Sequence, residues 1–354
     1  MSFPGLTIIG ERLNPGFASS KKMLDARDLP GLQELARSQV AKGAPILNLN
    51  CGIDGERDPG FVVEVLRAVQ AVVDVPICID SPAAQVQAAA LPANDPAKAR
   101  GRAPILNSIT ENRWELLALR RCEARVLFMV SERSENGQPT HNRSVPEIVD
   151  TTRRVIARAK AEQPGMTNDH CIIGVSVAPL ATDMDGLTKL AVDSIAALHA
   201  CPDLRGIHMS VGLSNIGIML PKKEVAGLPI GLALECAFLT CCVPFGLDMS
   251  LATAGRAYTV LSEDHPAMIA FREILTLEGG DALRRLRKLY AGTAVAEAQT
   301  AVAGSRGRGV AGSRGRRLFD VTIISSIFPR LPSSLSLLTP GSMVPTCIRA
   351  RSAC

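Results

Sequence analysis

Eight short apolar runs alternating with helix-like stretches constrain this chain more than any other feature. The runs are 6–10 (LTIIG), 44–50 (APILNLN), 75–80 (VPICID), 103–107 (APILN), 125–130 (RVLFMV), 171–177 (CIIGVSV), 206–210 (GIHMS) and 246–249 (GLDM). Runs this short and continuously apolar read as buried parallel strands. Helical periodicity falls between them at 31–42, 59–73, 145–161 and 187–198, in a segment starting near residue 222, and at 267–277. A capping-box pattern at Ser108–Glu111 opens a further helix through Leu119. Eight such units at a spacing of roughly 30 to 40 residues predict a (β/α)8 TIM barrel, an α/β fold, with a doubly wound open sheet as the competitor. No GxGxxG or GxxxxGK[ST] follows the first run, which argues against a nucleotide-binding open sheet.

Composition agrees with a barrel. The chain is 47% hydrophobic but only 3% aromatic, so its core is filled by Ala, Val, Leu and Ile, the residues that layer a barrel interior. The net charge of +5 misleads about partners. From Thr293 onward eight Arg face two acids, Glu297 and Asp320, leaving the first 292 residues with 31 basic against 32 acidic side chains. Nothing in that body calls for nucleic acid. Ten cysteines without a CxxC pair read as free thiols in a reducing cytoplasm. The N-terminus has no basic start and no long apolar core, so no signal peptide is expected. The apolar stretch 225–246 is interrupted by Pro229, Glu235 and Pro244 and reads as a buried barrel helix rather than a membrane span.

The division expected is a barrel over 1–290 and a tail over 291–354. The tail repeats AGSRGR at Ala303 and Ala311 and then turns Ser/Leu/Pro-rich, which reads as a disordered or irregular extension.

In a barrel, functional groups project from the C-terminal strand ends. Those ends carry Glu11 and Asn14, Asn48 and Asn50, Asp80, Asn107 and Asn215. Several carboxamides with few carboxylates can read the donor and acceptor edge of a heterocycle. The same set is poor equipment for a divalent metal, and the five histidines show no ligand spacing, so no metal site is expected. His208 reads as a satisfied interior group. Ser214-Asn215, flanked by Gly212 and Gly217 within an otherwise apolar MSVGLSNIGIMLP stretch, is the hardest feature to explain as a plain connection. Each of the others has a bland alternative. Asp80 and Asn107 could cap the helices that follow them, Asn50 could serve only its turn, and Glu11 could pair with Arg12.

GERLNP at 10–15, LNLNCG at 47–52, IDS at 79–81, ILNSIT.E at 105–111 and GLSN at 212–215 stand in the order and spacing of one family. The chain over 6–277 resembles the methyltetrahydrofolate:corrinoid methyltransferases, pterin-binding TIM barrels of the dihydropteroate synthase-like superfamily. The resemblance implies transfer of the N5 methyl group of 5-methyltetrahydrofolate to the cob(I)amide of a corrinoid carried by a partner protein, in a homodimer. It assigns Asn215 to catalysis beside N5. It assigns Asp80, Asn107, Asn50, Glu11, Asn14, Gly212, Ser214 and Lys223 to substrate binding, Lys223 falling where the family usually has Arg. Two positions depart from the pattern: Gly174 stands in place of a ring-binding aspartate, and Asn48 where Asp is common. The departure at Gly174 leaves open a pterin-binding barrel without turnover. A dihydropteroate synthase would carry a Lys/Arg pair after the sixth strand and a sulfonamide-site loop, and neither is evident.

Overall fold

The computed structural model describes residues 3–120 and 124–291. The expectations for the tail fall, from residue 292 on, outside the described residues. Eight parallel strands close into a barrel: β1 (Thr7–Leu13), β2 (Ile46–Leu49), β3 (Ile77–Asp80), β4 (Ile105–Ile109), β5 (Arg125–Met129), β6 (Cys171–Gly174), β7 (His208–Gly212) and β8 (Met249–Ala252). Each pairs with its sequence neighbours and β8 closes on β1, with Thr7 opposite Met249. All eight expected strands are present, and the open-sheet alternative is excluded by that closure.

Period-two alternation sorts the strand residues into two cores. Ile9, Ile46, Cys78, Ile105, Leu127, Ile172 and Met249 meet inside the barrel. Their neighbours Leu47, Leu49, Ile77, Ile79, Leu106, Val126, Phe128, Ile173, Met209 and Val211 pack outward against the helices. Two to four residues further along the strands the inward positions are polar or glycine at Glu11, Asn48 and Asn50, Asp80, Asn107, Gly174 and Gly212, with Met129 and Leu251 the apolar exceptions. The apolar plug below and the polar ring above define a closed bottom and an open mouth.

The departures from expectation are local. Strand β1 runs on to Leu13, so Glu11 lies within a strand rather than in a loop. Strand β7 likewise reaches Gly212. The segment after Thr110 is a 3-10 helix, Glu111–Leu119, kinked at Arg113, with the Thr110 hydroxyl accepting from the Asn112 amide. A small hairpin, Glu224–Val225 with Leu228–Pro229, precedes the helix Ile230–Cys242, so no helix begins at residue 222. Helices Ala18–Asp25, Gly52–Arg57, Ala84–Ala93 and Gly279–Ala291 and the hairpin Glu132–Glu135 with Gln138–His141 are additions to the expected set. Among the described residues no helix is long and apolar enough to cross a membrane, and Cys51, Cys78, Cys171, Cys201, Cys236, Cys241 and Cys242 are free.

Candidate functional site

The mouth is built from two facing arcs. On β2 and β3, the side-chain amides of Asn48 and Asn50 both donate to Asp80 Oδ2, at 2.9 and 3.3 Å. The second oxygen, Asp80 Oδ1, receives no hydrogen bond among the described residues. The pair of amides therefore holds the carboxylate by one oxygen and presents the other to the mouth. Burial pushes the Asp80 carboxyl above the usual aspartate range, opposed by those two donors and by the positive charge of Arg113. Asn107 lies beside Asp80 in register, and its carbonyl accepts from the Ser81 amide at 3.0 Å. Asn48 is fully buried, and its Oδ1 has no partner among the described residues.

The helix after β3, Ala84–Ala93, carries no side-chain cap, so Asp80 is not spent on capping. Thr110 rather than Asn107 caps the turn after β4. Asn50 serves two purposes at once. Its Oδ1 accepts from the Gly52 amide at 2.7 Å, a tight turn, while its Nδ2 reaches Asp80. Asn14 makes only the first kind of contact, its Oδ1 accepting from the Gly16 amide at 2.8 Å.

Across the mouth, β7 ends at Gly212 and the chain enters a 3-10 turn, Leu213–Gly217. A Cβ added at Gly212 would lie 3.0 Å from Asn215 Nδ2, so the absent side chain at 212 is what lets the Asn215 carboxamide fold over the strand end. That carboxamide makes no side-chain hydrogen bond among the described residues. The preceding Ser214 hydroxyl donates to Glu11 Oε2, and the Thr253 hydroxyl donates to Glu11 Oε1 at 2.6 Å. Glu11, 7% exposed on β1, thereby ties the Asn215 turn to the end of β8. The alternative pairing with Arg12 is excluded, because neighbours in a strand face opposite sides. Arg12 instead donates to Ser19 Oγ at 2.9 Å and lies over the Phe17 ring at 4.4 Å.

Lys223 has another engagement: its Nζ donates to the carbonyl of Tyr290 at 2.8 Å, joining the loop after β7 to helix Gly279–Ala291. Gly174 faces the barrel interior on β6, but no vacancy lies above it. A Cβ there would stand 2.4 Å from Met129 Sδ and 2.7 Å from Leu127 Cδ2. The space that an aspartate would need is filled by a thioether.

Two contributors were not visible in the sequence. Arg113 stands close enough to Asp80 to lower its pKa, donates to Ser108 Oγ at 3.3 Å and leaves its Nε buried without a partner among the described residues. Gln87, fully buried, donates through Nε2 to the carbonyls of Ile79, Ser81 and Asn107 at 2.9, 3.0 and 3.0 Å. It pins the ends of β3 and β4 where Asp80 and Asn107 sit. Among the described residues no cluster of His, Cys, Asp or Glu is arranged to hold a metal ion.

A parallel barrel presenting one carboxylate oxygen and a free carboxamide across a common rim defines a class of barrel suited to gripping a flat, nitrogen-rich ring. Residues 10–251 match the family described as pterin binding enzyme, and the chain belongs to that family. A curated relative, methylcorrinoid:tetrahydrofolate methyltransferase of Eubacterium limosum, is 24% identical over 230 residues, covering 62% of this chain and 78% of its own. Among solved structures, dihydropteroate synthase (FolP) from Thermus thermophilus aligns with TM-score 0.50 and 21% identity, covering 78% of this chain and 93% of that one. The same Thermus enzyme in complex with 6HMPPP aligns with TM-score 0.50 and 21% identity over 78% of this chain and 94% of that one. At these identities the solved structures speak for the fold alone.

Proposed function

We propose that this barrel binds the pterin ring of tetrahydrofolate at its mouth and catalyses methyl transfer between N5 of that folate and a corrinoid carried by a partner protein. The observation that carries the proposal is the pair of unengaged groups facing each other across the rim. Asp80 Oδ1 is an acceptor held in place by its own partner oxygen, and the Asn215 carboxamide has no protein partner among the described residues.

Asp80 accepts N–H groups from the aminopyrimidinone edge, and Asn107 beside it extends that contact. Asn215 handles the nitrogen that changes charge. When the bond from N5 to the methyl carbon breaks, its electron pair stays on nitrogen, which leaves badly unless a proton or a hydrogen bond meets the developing charge. A neutral carboxamide can donate to bare N5 through its NH2 or accept from protonated N5 through its oxygen. A fixed charge would favour only one of those states. The same group therefore serves the transfer in both senses, and the sense is set by which methyl donor is supplied. That agrees with a relative named for methylcorrinoid as donor, the reverse of the sense expected from the sequence.

The corrinoid enters this reading as a co-substrate carried by the partner protein, and it supplies or accepts the methyl at cobalt. The apolar Met129 above Gly174 gives the pterin one carboxylate fewer, which favours either altered ring contacts or a barrel that binds without turnover.

Methylcobalamin with tetrahydrofolate, and cob(I)alamin with 5-methyltetrahydrofolate, followed by cobalamin absorbance, test the activity in both senses. Folate binding with no methyl moved in either assay, even with candidate corrinoid proteins added, would leave the non-catalytic reading. Within an active enzyme, Asn215→Ala is expected to lower turnover by about 10²-fold while the folate Kd changes by less than about threefold. An equal loss in both would remove Asn215 from the chemistry.

A further inference from the structure

A carboxylate that the site does not use lies behind the Asn215 turn. Glu235, on helix Ile230–Cys242, is 1% exposed in an otherwise apolar helix. Both its oxygens receive Arg256 Nη1, at 2.5 and 2.6 Å, from the loop that follows β8. The carboxylate is desolvated while the Arg256 side chain stays 39% exposed, and burying a charge whose partner is held half in solvent is costly and needs a reason.

Its neighbour supplies one. A Cβ added to Gly217, the last residue of the Asn215 turn, would stand 3.2 Å from Glu235 Oε1 and 3.4 Å from the Gly231 Cα. The turn and the helix therefore touch backbone to backbone at two glycines, with the Glu235 carboxylate filling the remaining side. The opposite flank of the same turn is held by Ser214 on Glu11, and Glu11 is in turn held by Thr253. Both flanks lead to the short segment between Thr253 and Arg256. The turn is hydrogen-bonded to one carboxylate and packed against a second, each fastened to the same loop.

We infer that Glu235, held by Arg256, is a positioning residue for the transfer reaction: it fixes the Leu213–Gly217 turn so that the Asn215 carboxamide is aimed at the folate nitrogen. The role rests on the methyl-transfer reading for its catalytic consequence but not for its structural one. Neither Glu235 nor Arg256 hydrogen-bonds to Asp80, Asn107 or Asn215 among the described residues. Loss of the clamp leaves the ring contacts at Asp80 and Asn107 intact and lets the carboxamide wander, a displacement of the kind that costs rate rather than affinity.

The test uses the full chain with Glu235→Gln, with Glu235→Gln plus Arg256→Gln, and with Gly217→Ala. Removing both charges avoids leaving Arg256 unpaired, so the double variant stays informative if the single one folds poorly. In the methylcobalamin–tetrahydrofolate assay the double variant is expected to lose about 10- to 100-fold in turnover. Its tetrahydrofolate Kd should stay within about threefold. Hydrogen exchange of the peptide spanning residues 209–221 should speed up while exchange in β2 to β4 stays unchanged. Gly217→Ala should reproduce both effects from the other side of the contact. Wild-type turnover and exchange in the double variant would overturn the clamp. So would a folate Kd that weakens in step with turnover. If the unmodified protein moves no methyl group, the proposed function fails, and the exchange measurement alone decides whether the clamp exists.

Discussion

The chemistry of the mouth turns on single positions whose environment differs from their type. Asp80 is ionised at a cost, because burial raises its pKa more than its two amide donors and Arg113 lower it. For an acid raised in the folded state, the native state is penalised once pH exceeds the unfolded value near ~3.9, and the penalty is complete above the folded value. Asp80→Asn removes that penalty, and the new carboxamide oxygen still accepts from Asn48 or Asn50. The variant is expected to be at least as stable as the parent at pH 7 in urea titration. It should bind tetrahydrofolate about tenfold or more weakly, the loss that follows an unmatched buried donor. Gly174 tells the opposite story. An Asp built there collides with Met129 and Leu127, so Gly174→Asp should destabilise the barrel by about 1–3 kcal/mol without tightening the pterin site. Adding Met129→Ala removes the closer of the two collisions and leaves Leu127 room to shift, and the pair should then bind tetrahydrofolate more tightly than Gly174→Asp alone; calorimetric Kd values for both decide it. The positions of Asp80, Asn107 and Asn215 were legible in the sequence because strand ends in a barrel are predictable. The thioether over Gly174 was not, since it comes from the preceding strand of the barrel and only the register of Met129 against Gly174 reveals it.

At the scale of elements, the site depends on parts that never reach it. Helix Ala84–Ala93 leaves little mark in the sequence because it is apolar on most sides and contains Pro92, so it shows no amphipathic stripe. Yet its one fully buried amide, Gln87, ties three carbonyls at the ends of β3 and β4. Gln87→Leu keeps the volume and takes its amide donor from all three, although the Asn107 carbonyl keeps the Ser81 amide. The expected loss is roughly 1–3 kcal/mol in chemical denaturation, the effect of buried carbonyls deprived of a donor. Folate affinity should fall with it, because the carbonyls released belong to the segments bearing Asp80 and Asn107. The strands themselves are readable as apolar runs, although β1, β4 and β7 continue past the end of theirs and β8 starts only at the last residue of its run. In β1 that extension matters: by its run alone Glu11 reads as a loop residue with a neighbour for a partner. As a strand residue it points inward, and the closure of the barrel delivers Ser214 and Thr253 to it from the far end of the chain. Contacts of that range leave no local trace in a sequence.

For the molecule as a whole, closure at the bottom of the barrel is as consequential as the polar ring at the top. His208 opens β7, and its ring nitrogens lie 2.5 Å from Asp248 Oδ2 and 3.1 Å from Asp169 Oδ1. Asp248 directly precedes β8 and its other oxygen accepts from the Met209 amide at 3.0 Å; Asp169 precedes β6 and also meets Arg125 at the start of β5. One imidazole thus fastens three consecutive strands at their N-terminal ends, which is why it behaves as a structural group and not as a ligand. Hydrogen bonding to Asp248 raises the His208 pKa, against the opposing effect of burial. The sign of the consequence follows. Protonated His208 is favoured in the folded state, so its contribution is fully present below the unfolded value near ~6.5 and disappears as pH rises through the raised folded value. His208→Asn forfeits the contribution at every pH. The stability gap between parent and variant, read from urea midpoints, is therefore expected to be widest at pH 6 and to narrow steadily toward pH 9. Asp169, whose pKa is lowered by the same histidine, works on the acid side, and its share is lost only as pH falls into the carboxylate range. A gap that stays constant from pH 6 to pH 9 would mean that the charge of His208 contributes nothing to holding the three strand ends.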